Sequence, residues 1–214
     1  MDIFLTGTDT GVGKTFVTSL LLRALGSAGR RSAGYKPICC GDRRDVGELL
    51  DASSVDLEPD EMNPVWLRTP ASPAAAAIIE NTVVDRAELV RGYQEIAAKC
   101  DDVLVEGAGG WEVPLGIGTS MSDFASDLGL PVLVVVDNRL GALNHTLLTV
   151  AAIQARGLQC IGVILNHTED ERDIASVTNR QILEEHLGVP ILLEILHGED
   201  ALDPKALDFL TQVG

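Results

Sequence analysis

Aromatic side chains are scarce in this sequence: two Trp, two Tyr and four Phe among 214 residues. A β-sandwich core is commonly built around large rings, and little here would fill one. The 46% hydrophobic content is mostly Leu, Val, Ile and Ala, which suits parallel strands under small-residue helices. Positive charge is scarce too. Sixteen Lys and Arg face thirty-two Asp and Glu, for a net charge of −16, which argues against a nucleic-acid or anionic-membrane partner. The longest apolar run, Leu130 to Val136, is far short of the ~20 residues that span a bilayer. The opening Met-Asp-Ile-Phe-Leu-Thr-Gly lacks the basic and apolar regions of a secretory signal, so a cytoplasmic location is expected. Cys39, Cys40, Cys100 and Cys160 show no CxxC spacing and are expected as reduced thiols. His145, His167, His186 and His197 are dispersed, with no zinc pattern, and no catalytic histidine is expected.

What the sequence does contain is alternation. Apolar strand-like runs at Asp2–Thr6, Arg31–Lys36, Val103–Val105, Val132–Val136, Cys160–Leu165 and Ile191–Leu193 are separated by helical spacing. The helical stretches are Lys14–Ala28, Asp45–Ala52, Asp85–Lys99 with Asp85 as N-cap, Ser120–Leu128, Leu140–Ala155 and Asp173–Leu187. Several of the strands are almost continuously hydrophobic, as strands buried on both faces must be. The expected fold is a three-layer α/β/α domain of the P-loop NTPase type, with a mainly parallel twisted sheet, over residues 1–214 as one domain. The Pro-broken stretch from Asp42 to Thr82 is less regular.

Gly7-Thr8-Asp9-Thr10-Gly11-Val12-Gly13-Lys14-Thr15 joins the first strand to the first helix. Glycines there let backbone N–H groups turn toward phosphate oxygens, and the helix N-terminus adds partial positive charge. Lys14 would neutralise the β- and γ-phosphates, and the Thr15 hydroxyl would ligate Mg²⁺. The strict GxxxxGK[ST] pattern is missed by one residue, since Thr8 stands where it needs Gly and Gly7 lies one step earlier. Partition-type ATPases carry a second lysine at the place of Asp9, which argues against a dimer-switch ATPase of that kind. Lys36, at the end of the second strand in Gly34-Tyr35-Lys36-Pro37, could reach the same γ-phosphate as Lys14.

With these two segments, Ser72-Pro73, Val105-Glu106-Gly107-Ala108-Gly109-Gly110-Trp111 and Leu140-Gly141-Ala142-Leu143-Asn144-His145, the chain resembles the dethiobiotin synthetase family from about residue 2 to 167. The resemblance implies an ATP-dependent cyclo-ligase that closes 7,8-diaminononanoate with CO₂ into a cyclic urea, through a carbamate and its phosphoric anhydride. It implies Mg²⁺ held by Thr15, Asp45 and Glu106, and nucleotide contacts from Thr10, Gly11, Val12, Gly13, Lys14, Thr15 and Phe16. It adds Asp45, Glu106, Gly107, Ala108 and Gly109, the base-reading Asn166 with His167, and Leu196, His197 and Gly198. Thr10, Lys36 and Cys40 would meet the diamine, with Lys36 and Lys14 catalytic. Gly141, Ala142, Leu143 and Asn144 would bind the substrate carboxylate across a homodimer interface. On the residues alone, Asp45 also reads as a helix N-cap, Glu106 as a loop carboxylate, and Leu140–Asn144 as a plain helix start.

Gly11, Cys40 and His167 depart from residues common in that family, and Leu193-Glu194-Ile195-Leu196 stands where Gly-x-Ile-Pro is usual. Nucleotide preference is left open by that last change. Two other readings compete: a nucleotide-dependent regulatory switch, and an ATP-dependent amidoligase that forms no ureido ring.

Overall fold

The expected alternation is realised in a computed structural model that describes residues 1–207. The first half runs β1 (Ile3–Gly7), α1 (Lys14–Ser27), β2 (Ser32–Tyr35), β3 (Ile38–Cys40), α2 (Arg44–Ala52), α3 (Pro59–Met62), β4 (Val65–Leu67), α4 (Pro73–Ile79) and α5 (Arg86–Ala97). The second half runs β5 (Asp102–Gly110), β6 (Pro114–Gly116), β7 (Thr119–Ser120), α6 (Met121–Leu128), β8 (Val132–Asp137), α7 (Ala142–Ala155), β9 (Cys160–Asn166), α8 (Ile174–His186) and β10 (Ile191–Ile195), with a 3₁₀ turn at Pro204–Leu207.

Six strands form one sheet in the order β10-β9-β8-β1-β5-β2, and every neighbouring pair is parallel. Successive side chains point to opposite faces of a strand. Phe4, Val103, Val105 and Val134 therefore pack with Leu89 and Ile96 of α5, Phe124 of α6 and Ile153 of α7. Ile3, Leu5, Leu104 and Val135 pack on the other face with Val17 and Leu21 of α1 and Leu49 of α2. Both faces are covered, and each such side chain fully buried stabilises the fold by about 1.5–3 kcal/mol. In a parallel sheet with this topology the strand C-termini share one edge, where ligands bind. That edge carries the turn after β1, Lys36 after β2 and the distal half of β5.

The caps at Asp85 and Asp173 are as expected of acidic residues before a helix. Asp85 accepts from the Ala87 N–H at 2.9 Å, and Asp173 from the Ser176 N–H at 2.6 Å. All four cysteines are free thiols. The structure also corrects several boundaries. β5 runs on from Val105 to Gly110, so Glu106 lies inside a strand, paired opposite Leu5, and does not sit in a loop. The irregular stretch from 42 to 82 holds a second, two-stranded parallel sheet, β3 with β4. Segments of three residues are too short to show a period, which is why neither these strands nor the β6–β7 hairpin was legible. α7 starts at Ala142, two residues later than its apolar spacing suggests.

Close packing of α5 on β2 holds the strand that ends just before Lys36. Tyr35 is fully buried and its hydroxyl donates to Leu89 O at 2.7 Å. A methyl group at Gly92 would lie 2.6 Å from that hydroxyl oxygen. Helix propensity alone would make Gly92→Ala stabilising by about 1 kcal/mol. Overpacking against a rigid, tethered ring opposes it, so a net destabilisation of about 1–3 kcal/mol in urea unfolding is expected. The Gly92→Ala/Tyr35→Phe double variant should lose less than the sum of the two single changes. A stabilised Gly92→Ala protein would contradict this packing.

Candidate active site

The turn after β1 is shaped by its neighbours as much as by its own glycines. The Asn166 side chain, at the end of β9, donates from Nδ2 to Val12 O at 2.9 Å. Gly13 caps α1 with φ of 84°, and a Cβ there would lie 2.2 Å from Asn166 Nδ2. Only glycine satisfies both the left-handed backbone and that contact. Thr8 has no such demand, since its N–H donates to Val135 O at 3.1 Å as an extension of the β1–β8 ladder. The crowding that requires glycine falls one residue earlier, at Gly7, where a Cβ would lie 2.7 Å from Val12. This accounts for the one-residue departure from the strict phosphate-loop pattern.

Behind the turn two ammonium groups and two carboxylates converge. Lys14 is 7% exposed, and its Nζ donates to Asp9 O at 3.1 Å. Burial pushes its pKa down to about 8, partly opposed by Glu106 and reinforced by the charge of Lys36. Lys36 is 5% exposed and donates to Glu106 Oε1 at 2.6 Å and Asp45 Oδ2 at 2.8 Å. Burial alone would favour a neutral amine there, but the two carboxylates outweigh it and hold the Lys36 pKa above its ordinary value. The Thr15 hydroxyl donates to the same Glu106 oxygen at 2.7 Å.

Glu106 is 0% exposed, and its second oxygen, Oε2, is buried without a hydrogen-bond partner. It lies on the α1 face of the sheet, two residues after Leu104, beneath Thr15. The reading of Glu106 as a solvated loop carboxylate is thereby excluded. Asp45 lies in the first turn of α2, whose N-cap is Arg43, so it is not a cap and faces Lys36 instead.

A carboxylate oxygen with no partner beside a threonine hydroxyl and a second carboxylate is suited to a hard divalent cation. Among the described residues no group of three or more His, Cys, Asp or Glu could hold an ion by itself. Thr15, Asp45 and Glu106 fit Mg²⁺, which takes few protein ligands and completes its shell with water and phosphate oxygens.

Two cavities flank this cluster. One of about 540 Å³ is lined by Thr10, Lys36 and Cys40, expected at the diamine, by Asp45, Ala108 and Gly109, expected at the nucleotide, and also by Cys39, Arg44, Ser72 and Pro73. The second, about 260 Å³, is lined by Gly13, Phe16, Asn166, His167, Thr168, His197 and Gly198. The phosphate loop contributes Thr10 to the larger cavity and Gly13 to the smaller, and Lys36 lines the larger.

Some expected contacts are not assembled. Gly107 faces Phe4 and Met121 in the core, where a Cβ would lie 3.2 Å from the Phe4 ring. Leu196 is not part of the smaller cavity's lining. Asn166 gives one amide hydrogen to Val12 O, and its buried Oδ1, which has no partner, is left to accept from a base. His167 borders the cavity, but its Nε2 lies 2.8 Å from Glu194 Oε1 and 3.2 Å from Asn138 Nδ2. His167, one of the departures from the family's usual residues, is thus tied to Glu194. Gly141, Ala142, Leu143 and Asn144 do not line the cavity around Lys36, and the Ala142 N–H is taken by Arg139 O at 3.1 Å. Arg44, Cys39 and Thr168 were missed because no local pattern marks them, although each stands within a few residues of a motif.

Lys14 gives this site a pH signature. Polyphosphate would favour its charged form, so affinity is constant while the free protein is protonated there and falls as pH rises through about 8. From about pH 7 to about pH 9 the affinity for ATP should drop by about tenfold, from the loss of charge on one group alone. Calorimetric titration checks this, and a Lys14→Met variant should bind weakly with a flat profile. A wild-type affinity that rises over that interval would be inconsistent with a buried, partly neutral lysine.

Comparison with known proteins identifies the family. A family model described as an AAA domain matches residues 1–205. The ATP-dependent dethiobiotin synthetase of Akkermansia muciniphila is 50% identical over 206 residues, covering 96% of this chain and 97% of that one. The enzyme of the same name from Aromatoleum aromaticum is 41% identical over 91% of this chain and 89% of its own. Among solved structures, the septum site-determining protein MinD of Pyrococcus horikoshii, complexed with Mg-ADP, superposes with a TM-score of 0.61 at 21% identity, covering 91% of this chain and 80% of that one. FtsY of Thermotoga maritima gives 0.55 at 16% identity, over 100% and 68% of the two chains. These last two share the P-loop NTPase fold. With a parallel six-stranded sheet, a lysine-bearing phosphate loop and relatives matched from end to end, the chain belongs to the ATP-dependent dethiobiotin synthetase family.

Proposed function

We infer that the protein uses ATP to close 7,8-diaminononanoate and CO₂ into the cyclic urea of dethiobiotin, a step of biotin biosynthesis. The observation that carries this reading is the pair of buried lysines beside the phosphate loop, Lys36 lining the larger cavity, which suits the diamine, while the smaller cavity on the loop suits a nucleotide base. A carbamate formed from one substrate amine and CO₂ presents an oxygen to the γ-phosphorus. That oxygen displaces ADP, giving a carbamic-phosphoric anhydride. The second amine then attacks the carbamate carbon, the urea closes and phosphate leaves.

Each step moves negative charge across the space that Lys14 and Lys36 line. Preorganised ammonium groups in a site shielded from water stabilise such charge without reorganisation. Lys36 holds the carbamate and the phosphoryl group in one frame, and proximity of that kind supplies a large part of the rate. A lysine suits this task because its compact charge follows a moving oxygen. Thr15, Asp45 and Glu106 hold Mg²⁺, which when bound offsets phosphate charge. Thr10, Cys40, Ser72 and Pro73 border the diamine, while Phe16, Asn166, His197 and Gly198 enclose the base. Asn166 offers an acceptor, which suits the exocyclic amine of adenine.

A homodimer completes the substrate site. Leu140 is 76% exposed and Leu148 of α7 is 63% exposed, beside the Gly141–Asn144 turn proposed to hold the substrate carboxylate. Exposed apolar side chains grouped around a functional turn support a covered surface. The chain acts as one domain and in the cytoplasm; no helix among the described residues is long and apolar enough to cross a membrane. A regulatory switch would need the phosphate loop but not Lys36, and the burial of Lys36 between two carboxylates favours the enzyme.

Incubation with ATP, Mg²⁺, bicarbonate and 7,8-diaminononanoate should yield the cyclic urea by mass spectrometry. Lys36→Met should lower kcat by about a hundredfold or more, with ATP affinity within a few-fold of wild type. Full cyclic-urea formation by Lys36→Met would remove the role given to Lys36, whereas ATP binding by the unmodified protein with no urea formed would favour the switch. Leu148→Glu should shift the protein toward monomer in sedimentation velocity and raise KM for the diamine; an unchanged dimer would place the interface elsewhere.

A further inference from the structure

Lys36 stands just beyond the last ladder pair of an edge strand, Tyr35 with Val105, so the main sheet does not fix its backbone. Its N–H donates to Met62 O at 3.0 Å, and its carbonyl accepts from Asn63 Nδ2 at 2.8 Å. Pro37 follows, restricting Lys36 to extended conformations, and its carbonyl accepts from the Val65 N–H at 3.2 Å. Three successive backbone groups around the lysine are thus held by residues 62–65, one of them by a side chain.

Asn63 is 1% exposed, and all its side-chain bonding capacity is directed. Nδ2 also donates to Val65 O at 3.1 Å, while Oδ1 accepts from Arg43 Nε at 3.1 Å. Two carbonyls on one side and a guanidinium on the other leave a single orientation for the amide. Arg43 in turn donates to Pro59 O and Asn63 O, both at 3.0 Å, and to Asp60 Oδ1 at 2.9 Å, with its guanidinium 4.5 Å from the centre of the Trp66 ring. Arg43 is also the N-cap residue of α2, two positions before Asp45. One arginine therefore references both the helix that presents Asp45 and the amide that holds Lys36.

We propose that Asn63 and Arg43 are positioning residues for the reaction: together they set the Lys36 ammonium against Asp45 and Glu106 without touching either substrate. The proposal rests on the role of Lys36 given above. Neither residue lines the two cavities, so substrate binding does not depend on them directly. The chemistry does, because a shift of about 1 Å in a catalytic group can cost up to about a hundredfold in rate.

Asn63→Asp separates this role from a general structural one. The carboxylate keeps the shape and the bond to Arg43 but turns an acceptor toward the carbonyls of Lys36 and Val65. Its kcat should fall by between about tenfold and about a hundredfold, while calorimetric ATP affinity and both KM values stay within about twofold. Arg43→Lys, which loses the fork but leaves the fold's interior intact, should show the same split with a smaller fall. It keeps the test decisive if Asn63→Asp folds poorly. Unchanged kcat in Arg43→Lys and in folded Asn63→Asp would overturn the proposal. So would losses that appear in ATP affinity instead. Lys36→Met distinguishes the two levels: full activity there removes the role of Lys36 and this inference with it, whereas a loss there beside an unaffected Asn63→Asp overturns this inference alone.

Discussion

A carboxylate in the middle of a fully covered parallel strand is the constraint from which the site follows. Glu106 is completely buried, and an ionised group without compensation there would be very costly. Lys36 supplies the compensating charge at 2.6 Å and Thr15 a hydroxyl at 2.7 Å. Removing one partner from a buried pair of this kind costs about 3–5 kcal/mol, because the other is left uncompensated. Replacing both with apolar groups would be tolerated by the fold. The arrangement is therefore better understood as a device kept for reactivity than as a source of stability.

Much of the surrounding architecture serves that pair. β2 ends at Tyr35, locked by its hydroxyl to α5, so the next residue leaves the sheet at a defined place. The small β3–β4 sheet and the Asn63 amide then hold the chain where Lys36 departs. On the other side of β1, the Asn166 amide ties the phosphate loop to the end of β9. Charge and desolvation are balanced differently at the two lysines. Lys14, facing a backbone carbonyl, is pushed toward neutrality, whereas Lys36, between two carboxylates, is held charged. An incoming triphosphate meets one lysine whose charge in the free protein is lost as pH rises through about 8 and one that keeps it.

The shared fold with MinD and FtsY shows how little the scaffold says about chemistry. What separates the reactions is the side chains at the strand ends. Within this chain, His167 departs from the family's usual residue and lies 2.8 Å from Glu194, in the segment where Leu193 and Leu196 also depart. Burial opposes ionisation of Glu194, but His167 and Arg180 outweigh it and keep its carboxyl below the usual range.

Residue order alone determined the layered α/β class and the phosphate loop with its Lys14, while the roles expected of Lys36 and Glu106 are what the family resemblance implies. Continuous apolar strands and a Gly-Val-Gly-Lys-Thr turn are local signals, set by periodicity and backbone sterics within a few residues. It could not show that Glu106 lies inside a strand, that Gly107 faces the core, that Asn166 donates to Val12 O, or that Asn63 grips the Lys36 carbonyl. Those partners stand 27 to 154 residues apart, and the three-residue strands that bring some of them together are too short to leave a period. Only tertiary packing decided them, because hydrogen-bond capacity is assigned by which groups remain unpaired when distant segments meet.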